Sequence, residues 1–222
     1  MGEYSKKTVG VVLAGCGFLD GSEIHEATLT LLALDRAGVK IICMAPDVPH
    51  AHVINHLTAK AVDEQRHVLH ESARIARGAI HAMRSVSPDD LDAIIFPGGY
   101  GAAKNLFTFA FHGINGTVNQ EVERFITTLH SKKRPQGFLC ISPVIAAKVL
   151  GMYQPELTIG NDEATAAAII KMGGNHINRK VDEIVVDEKN RLVSTPAYMF
   201  DTSIAHVARG IDKLVSAVLE MA

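Results

Sequence analysis

The strongest constraint on the fold is a regular alternation between short apolar segments and longer segments with helical spacing. Residues 8–13, 39–44, 91–96 and 136–140 have the predominantly apolar character of buried strands. Because such strands must be covered on both faces, the pattern predicts a doubly wound α/β fold with a mostly parallel sheet flanked by helices. The chain shows no Pro/Ser-rich linker and no internal repeat, so residues 1–222 are predicted to form a single domain.

The segments between the strands have helical periodicity and recognisable ends. Asp20 is predicted to cap the first helix, and Gly38 and Gly78 are predicted to end the first and second. The predicted helices cover 23–37, 63–77, 119–132, 143–150, 163–172 and 201–220. Further β structure is predicted as a short segment at 157–159 and a hairpin joining 182–186 to 191–194. Residues 47–60, rich in His, Pro and Asn, are predicted to form a loop near the carboxyl ends of the strands, as a lid or a dimer contact.

Composition excludes several classes of function. The formal charge is −2, and the densest cationic cluster, 132–134, is too short for a nucleic-acid surface. Three cysteines, an odd number, do not suit a disulfide framework and favour a reducing compartment. Residues 1–8 are polar and lack the apolar core of a signal peptide, and no apolar run reaches the roughly 18 residues of a membrane span. The sequence predicts a soluble cytoplasmic protein with neither nucleic-acid nor membrane partners.

Cys140 is the leading candidate for a reactive centre. It ends an apolar strand, and Pro143 then suits the first turn of a helix. A cysteine at this junction meets a helix dipole and free backbone N–H groups, which favour the thiolate and can hold an oxyanion. The alternative is that Cys140 is a small buried apolar residue, as free cysteine often is.

Two further segments are predicted to share the rim with Cys140, because sites in such sheets form at the carboxyl ends of strands. Residues 97–101 follow a strand and contain paired glycines that allow a turn with positive φ. Glu23, His25 and Glu26 open the first helix. Glu23 can simply stabilise the helix N-terminus. Glu26 lies deeper among apolar residues, and a buried carboxyl beside the cysteine would have a raised pKa and could move protons near neutral pH.

Taken together, these motifs resemble the ElbB (enhancing lycopene biosynthesis, or isoprenoid-biosynthesis-associated) family. That family belongs to the class I glutamine amidotransferase-like superfamily, with the PfpI-type proteins and the Parkinson's-linked deglycase. The resemblance covers essentially the whole chain and rests on six segments: 15–17, 20–26, 54–58, 97–106, 140–143 and 195–199.

The resemblance implies a flavodoxin-like fold in which Cys140 is the nucleophile at the strand-to-helix elbow and Glu26 its paired carboxylate. It also implies an oxyanion hole made of the Gly99 and Ile141 amides. Similar proteins convert glyoxal to glycolate without glutathione, an activity that can also reflect deglycation. The expected partners are therefore a small carbonyl substrate and a second copy of the chain, as a homodimer, with no cofactor.

One departure from the superfamily pattern argues against an amidotransferase. Many members carry a His soon after the strand that follows the nucleophile, but residues 157–162 contain none. Glutamine hydrolysis through a Cys-His-Glu triad is therefore disfavoured. The remaining thiol and carboxyl suit another reaction. Cys140 attacks a 2-oxoaldehyde, Glu26 moves a proton from the former aldehyde carbon toward the neighbouring oxygen, and the resulting thioester is hydrolysed.

Several interpretations stay open. Glu23, His25, Cys16, Gly98 and Asn105 are candidates for lining the site, although packing between two glycines is the favoured explanation for Cys16. Histidines at a spacing of three or four invite a metal, but they lack carboxylate or cysteine partners, and no metal is predicted. Besides the glyoxalase-type enzyme, the alternatives are a redox-sensing or chaperone-like binding protein and a glutaminase subunit.

Overall fold

The apolar segments form the strands of an open, mostly parallel sheet. The structure is a computed structural model that describes residues 7–222. In chain order the strands are β1 (Thr8–Val12), β2 (Lys40–Ala45), β3 (Ile54–Asn55), β4 (Lys60–Ala61), β5 (Ile80–Ala82), β6 (Ala93–Phe96), β7 (Gln136–Leu139), β8 (Glu156–Leu157), β9 (Asn175–His176), β10 (Val185–Asp187) and β11 (Leu192–Thr195). Among the described residues, seven strands form one sheet in the order β10-β11-β7-β6-β1-β2-β5. Its neighbouring strands are parallel except at the β10–β11 hairpin.

The order of the central strands is that of a flavodoxin-like fold. Strands β2-β1-β6-β7-β11 follow the 2-1-3-4-5 order, with β5 added beyond β2 and β10 added beyond β11. The predicted fold class is therefore confirmed. In this topology the chain changes direction across the sheet between β1 and β6, which opens a crevice at their carboxyl ends.

Helices cover both faces of the sheet. They are α1 (Ile24–Ala37), α2 (Val68–Ile75), α3 (Phe109–His112), α4 (Gln120–Ser131), α5 (Pro143–Leu150), α6 (Glu163–Lys171) and α7 (Ile204–Met221). Helices α1 and α7 pack together on one face, where Leu34, Val207 and Ile211 are fully buried. Helices α4 and α5 cover the other face, with Phe125 and Ile145 buried. Helix α7 packs on β7 and β11 of the sheet.

Some predicted boundaries were wrong. Asp20 does not cap α1, because its carboxylate accepts the N–H of Ile54 instead. The cap is Glu23, whose side chain accepts the N–H of Glu26 at 2.7 Å. Helix α2 begins at Val68, five residues later than predicted, because the preceding residues run in extended conformation to a bridge between Pro49 and His67.

The remaining boundary differences concern strand β5 and helix ends. Strand β5 was not predicted, since its three residues at the sheet edge carry an exposed His in the middle. Gly38 ends α1 with φ +73°, as predicted. Helix α2 instead ends at Ala76, and Gly78 follows with φ +84°.

The His-rich segment 47–60 lies against the rim of the sheet. It contains β3, which pairs with β4 in a small antiparallel hairpin. Of the segment 1–8, which was interpreted as lacking a signal peptide, the first six residues lie outside the described part of the chain. Over residues 7–222, no helix combines the length and the apolar character needed to cross a bilayer.

Candidate active site

Cys140 occupies a strained turn between β7 and α5. Its φ is +59°, in the left-handed region that non-glycine residues rarely adopt. Its N–H donates to the carbonyl of Thr195 on β11 at 3.0 Å. The buried Ser142 hydroxyl fixes the turn: it accepts the Leu139 N–H and donates to the Phe96 carbonyl, each at 2.8 Å. The strain is therefore held by hydrogen bonds to both neighbouring strands.

Glu26 is completely buried beside Cys140. Its Oε2 accepts the Gly98 N–H at 2.8 Å, and its Oε1 accepts the Tyr198 N–H at 3.2 Å. The carboxyl also shares a hydrogen bond with the Cys140 thiol. Three segments distant in sequence thus converge on one carboxyl group, at the carboxyl ends of β6, β7 and β11.

Burial sets the protonation of this pair. Loss of solvent and the nearby Glu23 carboxylate raise the pKa of Glu26 to about 8, although two backbone N–H groups and the thiol partly offset this. Burial and the Glu26 charge also raise the pKa of Cys140 well above its ordinary value, against the opposing effect of the Gly99 and Ile141 amides. The Gly99 and Ile141 amides thus act in the predicted direction, towards the thiolate, but desolvation outweighs them.

The glycines after β6 bring the backbone against this pair. A side chain on Gly98 would overlap the Cβ of Cys140 and come within 2.7 Å of Oε2 of Glu26. Gly99 has φ +91°, where a side chain would also be strained. These two residues let the loop pass close enough for its N–H groups to reach both the carboxyl and the sulfur.

Cys140 opens onto a pocket of about 460 Å³. The residue is only 7% exposed, yet it belongs to the pocket wall. The pocket is lined by the loop before α1, the segment between β6 and α4, the elbow, the start of α6 and the segment before α7. The lining residues are Phe18, Glu23, Gly99, Tyr100, Ala103, Phe109, Ala110, Cys140, Ile141, Asp162, Thr165, Tyr198 and Met199. A small molecule in this space can therefore reach the sulfur.

Comparison with known proteins places this arrangement in a family. A rat protein named "ES1 protein homolog, mitochondrial" is 46% identical over 96% of this chain and 83% of its own length. A human protein named "Glutamine amidotransferase-like class 1 domain-containing protein 3, mitochondrial" is also 46% identical, over 96% of this chain and 82% of its own.

The chain belongs to the ES1 family.

Solved structures share the fold of the chain. An isoprenoid biosynthesis protein with an amidotransferase-like domain from Ehrlichia chaffeensis is 36% identical, with a TM-score of 0.90 over 97% of this chain and all of that one. Drosophila melanogaster DJ-1beta shares the fold at 15% identity, with a TM-score of 0.60 over 98% of this chain and 96% of its own. No protein-family model matches the chain.

Within this ES1-family site, the structure brings together only some of the predicted residues. Cys140, Gly99, Ile141 and Glu23 line the pocket. Gly98 lies behind the wall, between the thiol and the buried carboxyl. Cys16, His25 and Asn105 are not among the lining residues.

Asn105 and Cys16 have structural surroundings of their own. The Asn105 amide donates to the carbonyls of Ala14 and Asp20, each at 2.9 Å, and accepts the Ala51 N–H at 3.0 Å. It therefore fastens the segment 47–60 to the loop after β1. Cys16 lies in that same loop, in a bridge with Ser22, and burial raises the pKa of its thiol.

Tyr198 is the functional candidate that sequence reasoning missed. Its N–H holds the Glu26 carboxyl, its ring lines the pocket, and its hydroxyl is 2.9 Å from Nδ1 of His25. His25 itself is exposed. Tyr198 lies in one of the six family segments, and its position two residues after Pro196, just beyond β11, was the available signal.

Residues 157–162, where many superfamily members carry a His, contain other polar groups in this chain. Residues 157–162 supply Asp162, which caps α6 by accepting the Thr165 N–H at 2.8 Å. His176 lies beside this segment, where its Nε2 accepts the Ile159 N–H at 3.3 Å, but it does not line the pocket. Across residues 7–222, no three His, Cys, Asp or Glu side chains are grouped to hold a metal ion.

Proposed function

We propose that the protein is a glyoxalase-type lyase that converts glyoxal, or a similar 2-oxoaldehyde, to the 2-hydroxy acid (glycolate from glyoxal) without glutathione or a cofactor. The supporting observation is that the Cys140 thiol and the buried Glu26 carboxyl share a hydrogen bond at the base of an open pocket. A nucleophile and a proton carrier with a pKa near 8 are the two groups that this reaction requires.

The first step forms a carbon–sulfur bond. With a pKa of about 8, roughly a tenth of Glu26 is ionised at pH 7 and can accept the thiol proton. The sulfur then attacks one aldehyde carbon, and the electron pair of its C=O bond moves to oxygen. The Gly99 and Ile141 amides face the sulfur and can donate to that oxyanion. Return of the proton from Glu26 to the oxygen gives a hemithioacetal.

The second step is an internal redox exchange. Glu26, again a carboxylate, removes the hydrogen of the former aldehyde carbon as a proton. The electron pair of that C–H bond forms a C=C bond, and the C=O pair of the neighbouring carbon moves to its oxygen, giving an enediolate. Glu26 then delivers its proton to the neighbouring carbon while the hydroxyl proton of the first carbon passes to the neighbouring oxygen, so the first carbon has been oxidised to a thioester and the second reduced to an alcohol. No external oxidant or reductant is needed. Water then attacks the thioester carbonyl, releasing the 2-hydroxy acid and restoring the Cys140 thiol.

The absence of a histidine from the pocket wall supports this reaction over glutamine hydrolysis. An amidase must protonate an amine leaving group, which a Cys-His pair does well. The lining residues contain no His, and the exposed His25 reaches the pocket only through the Tyr198 hydroxyl. An aldehyde has no leaving group to protonate at the first step, so one carboxyl serves the whole sequence.

Turnover of glyoxal in the purified protein tests the proposal. Glycolate formation is followed by proton NMR in an amine-free buffer, because amines trap aldehydes. Cys140→Ala should abolish turnover, while Cys16→Ala, outside the pocket, should retain it. Glu26→Gln should lower kcat by about two orders of magnitude or more, the usual contribution of a general base. A Cys140→Ala variant with the wild-type rate contradicts the scheme. If Glu23→Gln lowers kcat more than Glu26→Gln does, the proton-transfer role belongs to Glu23.

The alternative of an oxidation sensor has less support. Peroxide attacks the thiolate, and burial raises the pKa of the Cys140 thiol and limits its exposure. Mass spectrometry after mild peroxide distinguishes the two functions: the sensor requires selective oxidation of Cys140 in a protein that does not turn over glyoxal.

On the sequence resemblance we also propose that the protein is of the ElbB type, that residues 1–222 form one domain, and that it acts as a cytoplasmic homodimer. Both curated relatives carry "mitochondrial" in their names. Sedimentation analysis tests the dimer, and fractionation of the source cells tests the compartment.

A further inference from the structure

The pocket is much larger than glyoxal requires. At about 30 Å³ for each water-sized group, glyoxal with its four heavy atoms occupies on the order of 100 Å³. The pocket offers about 460 Å³. A substrate that fills it therefore carries a substituent beyond the reacting carbonyls.

The walls around that extra space are mainly apolar. Phe109, Ala103 and Met199 contribute side chains, and the aromatic rings of Phe18 and Tyr100 stand at the mouth. Phe18 is 47% exposed and Tyr100 is 53% exposed, so both rings are accessible to a ligand. This surface favours an apolar or aromatic substituent.

The charged side chains of the pocket wall are both acidic. Glu23 stands near the buried carboxyl, where its negative charge contributes to the raised pKa of Glu26. Asp162 stands at the start of α6, and hydrogen bonds from Thr165 lower the pKa of its carboxyl, so that it is ionised at neutral pH. The lining residues include no Lys, Arg or His.

The neighbouring cations lie outside the lining of the pocket. Lys104 lies 5.4 Å from the ring centre of Tyr100, and its ammonium donates to the Leu19 carbonyl at 2.9 Å. His25 contacts the Tyr198 hydroxyl and is exposed. A carboxylate in the pocket would therefore meet two like charges and find no cationic partner on the wall.

We propose that the pocket selects carbonyl compounds with an apolar body and a positively charged head, through Glu23 and Asp162, and rejects carboxylates. The inference rests on the proposed function for the identity of the reacting group. It excludes 2-oxo acids and anionic thiol adducts, which carry a carboxylate and no compensating cation.

Binding of three unreactive ketones tests this selectivity apart from catalysis. Acetophenone, 4-acetylbenzoate and 4-acetyl-N,N,N-trimethylanilinium have similar shape, and none carries an aldehyde that can be rearranged. The quaternary ammonium cannot form an imine. Dissociation constants for the wild-type protein are measured by ligand-observed NMR at low ionic strength. The cation should bind most tightly and the benzoate most weakly, about tenfold apart, as two partly exposed charges allow. Added salt should bring the dissociation constants of the cation and the benzoate closer together.

Charge-neutralising variants assign the effect to residues. Glu23→Gln and Asp162→Asn should each reduce the ratio of cation to benzoate affinity, and together bring it close to one. The asparagine can still cap α6. Glu188→Gln, on the exposed β10–β11 turn, is the matched control and should leave the ratio unchanged.

The outcomes separate the inference from the proposed function. Equal affinities, tighter binding of the benzoate, or no binding of any ketone at millimolar concentration overturns the inference, even if glyoxal is turned over. Failure to turn over glyoxal with the predicted ketone order intact overturns the lyase proposal and leaves a pocket selective for cations.

Discussion

Replacing Glu26 with glutamine tests whether the buried carboxyl carries a proton in the folded protein. The pKa of Glu26 is about 8 in the fold, against 4.5 for an unperturbed Glu. The folded state therefore holds the proton more tightly than the unfolded chain does. Stability from this group is complete below pH 4.5 and is lost as the pH rises to 8, the reverse of a salt-bridged carboxylate.

The magnitude follows from the shift. A pKa difference of about 3.5 units corresponds to roughly 5 kcal/mol, and the free energy of unfolding should fall by about 1.4 kcal/mol for each pH unit within that window. Glutamine removes the titration but has only one acceptor oxygen. The Gly98 and Tyr198 N–H groups both need an acceptor, so one loses its partner at a cost of about 1–3 kcal/mol.

The two stability curves should therefore cross. At pH 5 the Glu26→Gln protein should be less stable than wild type by about 1–3 kcal/mol, and by pH 8 it should be the more stable protein. Urea unfolding is followed by far-UV circular dichroism, because the chain contains no Trp. The eleven histidines titrate in both proteins, so their contribution cancels when the two free energies of unfolding are subtracted.

A matched variant and a clear contrary result complete the test. Glu23→Gln removes a charge that raises the pKa of Glu26, so its loss of stability should begin at the same pH, end at a lower pH and be smaller in total. Its amide oxygen can still accept the Glu26 N–H, and the α1 cap is retained. A difference between wild type and Glu26→Gln that stays constant from pH 5 to pH 9 would show that the buried carboxyl is ionised in the fold, and the proton-transfer scheme would lose its basis.

Two substitutions and one alkylation measurement probe the elbow. Gly98→Ala should destabilise the protein by several kcal/mol in urea unfolding and abolish turnover, because the added methyl overlaps the Cβ of Cys140. Gly113→Ala is the control: no atom lies within 4 Å of the added methyl, so the substitution should cost only about 1–2 kcal/mol, from the positive φ of Gly113. Ser142→Ala removes a hydroxyl that bridges two buried backbone groups and should cost about 2–4 kcal/mol; a loss below 0.5 kcal/mol would mean that the strained turn does not depend on it. The rate of alkylation of Cys140 by iodoacetamide should rise steeply above pH 8, since burial raises the pKa of the thiol, and a plateau already reached at pH 6 would contradict that direction.

The sequence by itself determined the architecture and the two central residues of the site. Apolar strands of four to six residues alternating with helical periodicity leave few topologies other than a covered parallel sheet. Cys140 at a strand-to-helix junction and Glu26 among apolar residues of α1 became candidates because local spacing sets which residues end a strand and which face the core, and the family resemblance then paired them. Such local patterns can be recognised in a sequence without knowledge of the fold.

The start of α2 and the cap of α1 needed the tertiary structure. Residues 63–67 have helical spacing, but the bridge from Pro49 to His67 holds the end of that segment extended. Asp20 has the chemistry of a cap, yet the segment 47–60 folds over it and supplies the Ile54 N–H as its partner. In both places a contact between residues far apart in sequence overrides the local preference.

The protonation of the site and the character of its pocket were decided by packing alone. The resemblance pointed to the cysteine and its carboxylate, but only the assembled fold shows that burial exceeds the effect of the helix N-terminus on Cys140. Phe18, Asp162 and Tyr198 reach the pocket from segments separated by up to 180 residues. Desolvation and the electrostatic field at a point depend on every atom packed around it, whereas periodicity and capping depend on neighbours in the chain. The sequence therefore located the candidate nucleophile but not its environment.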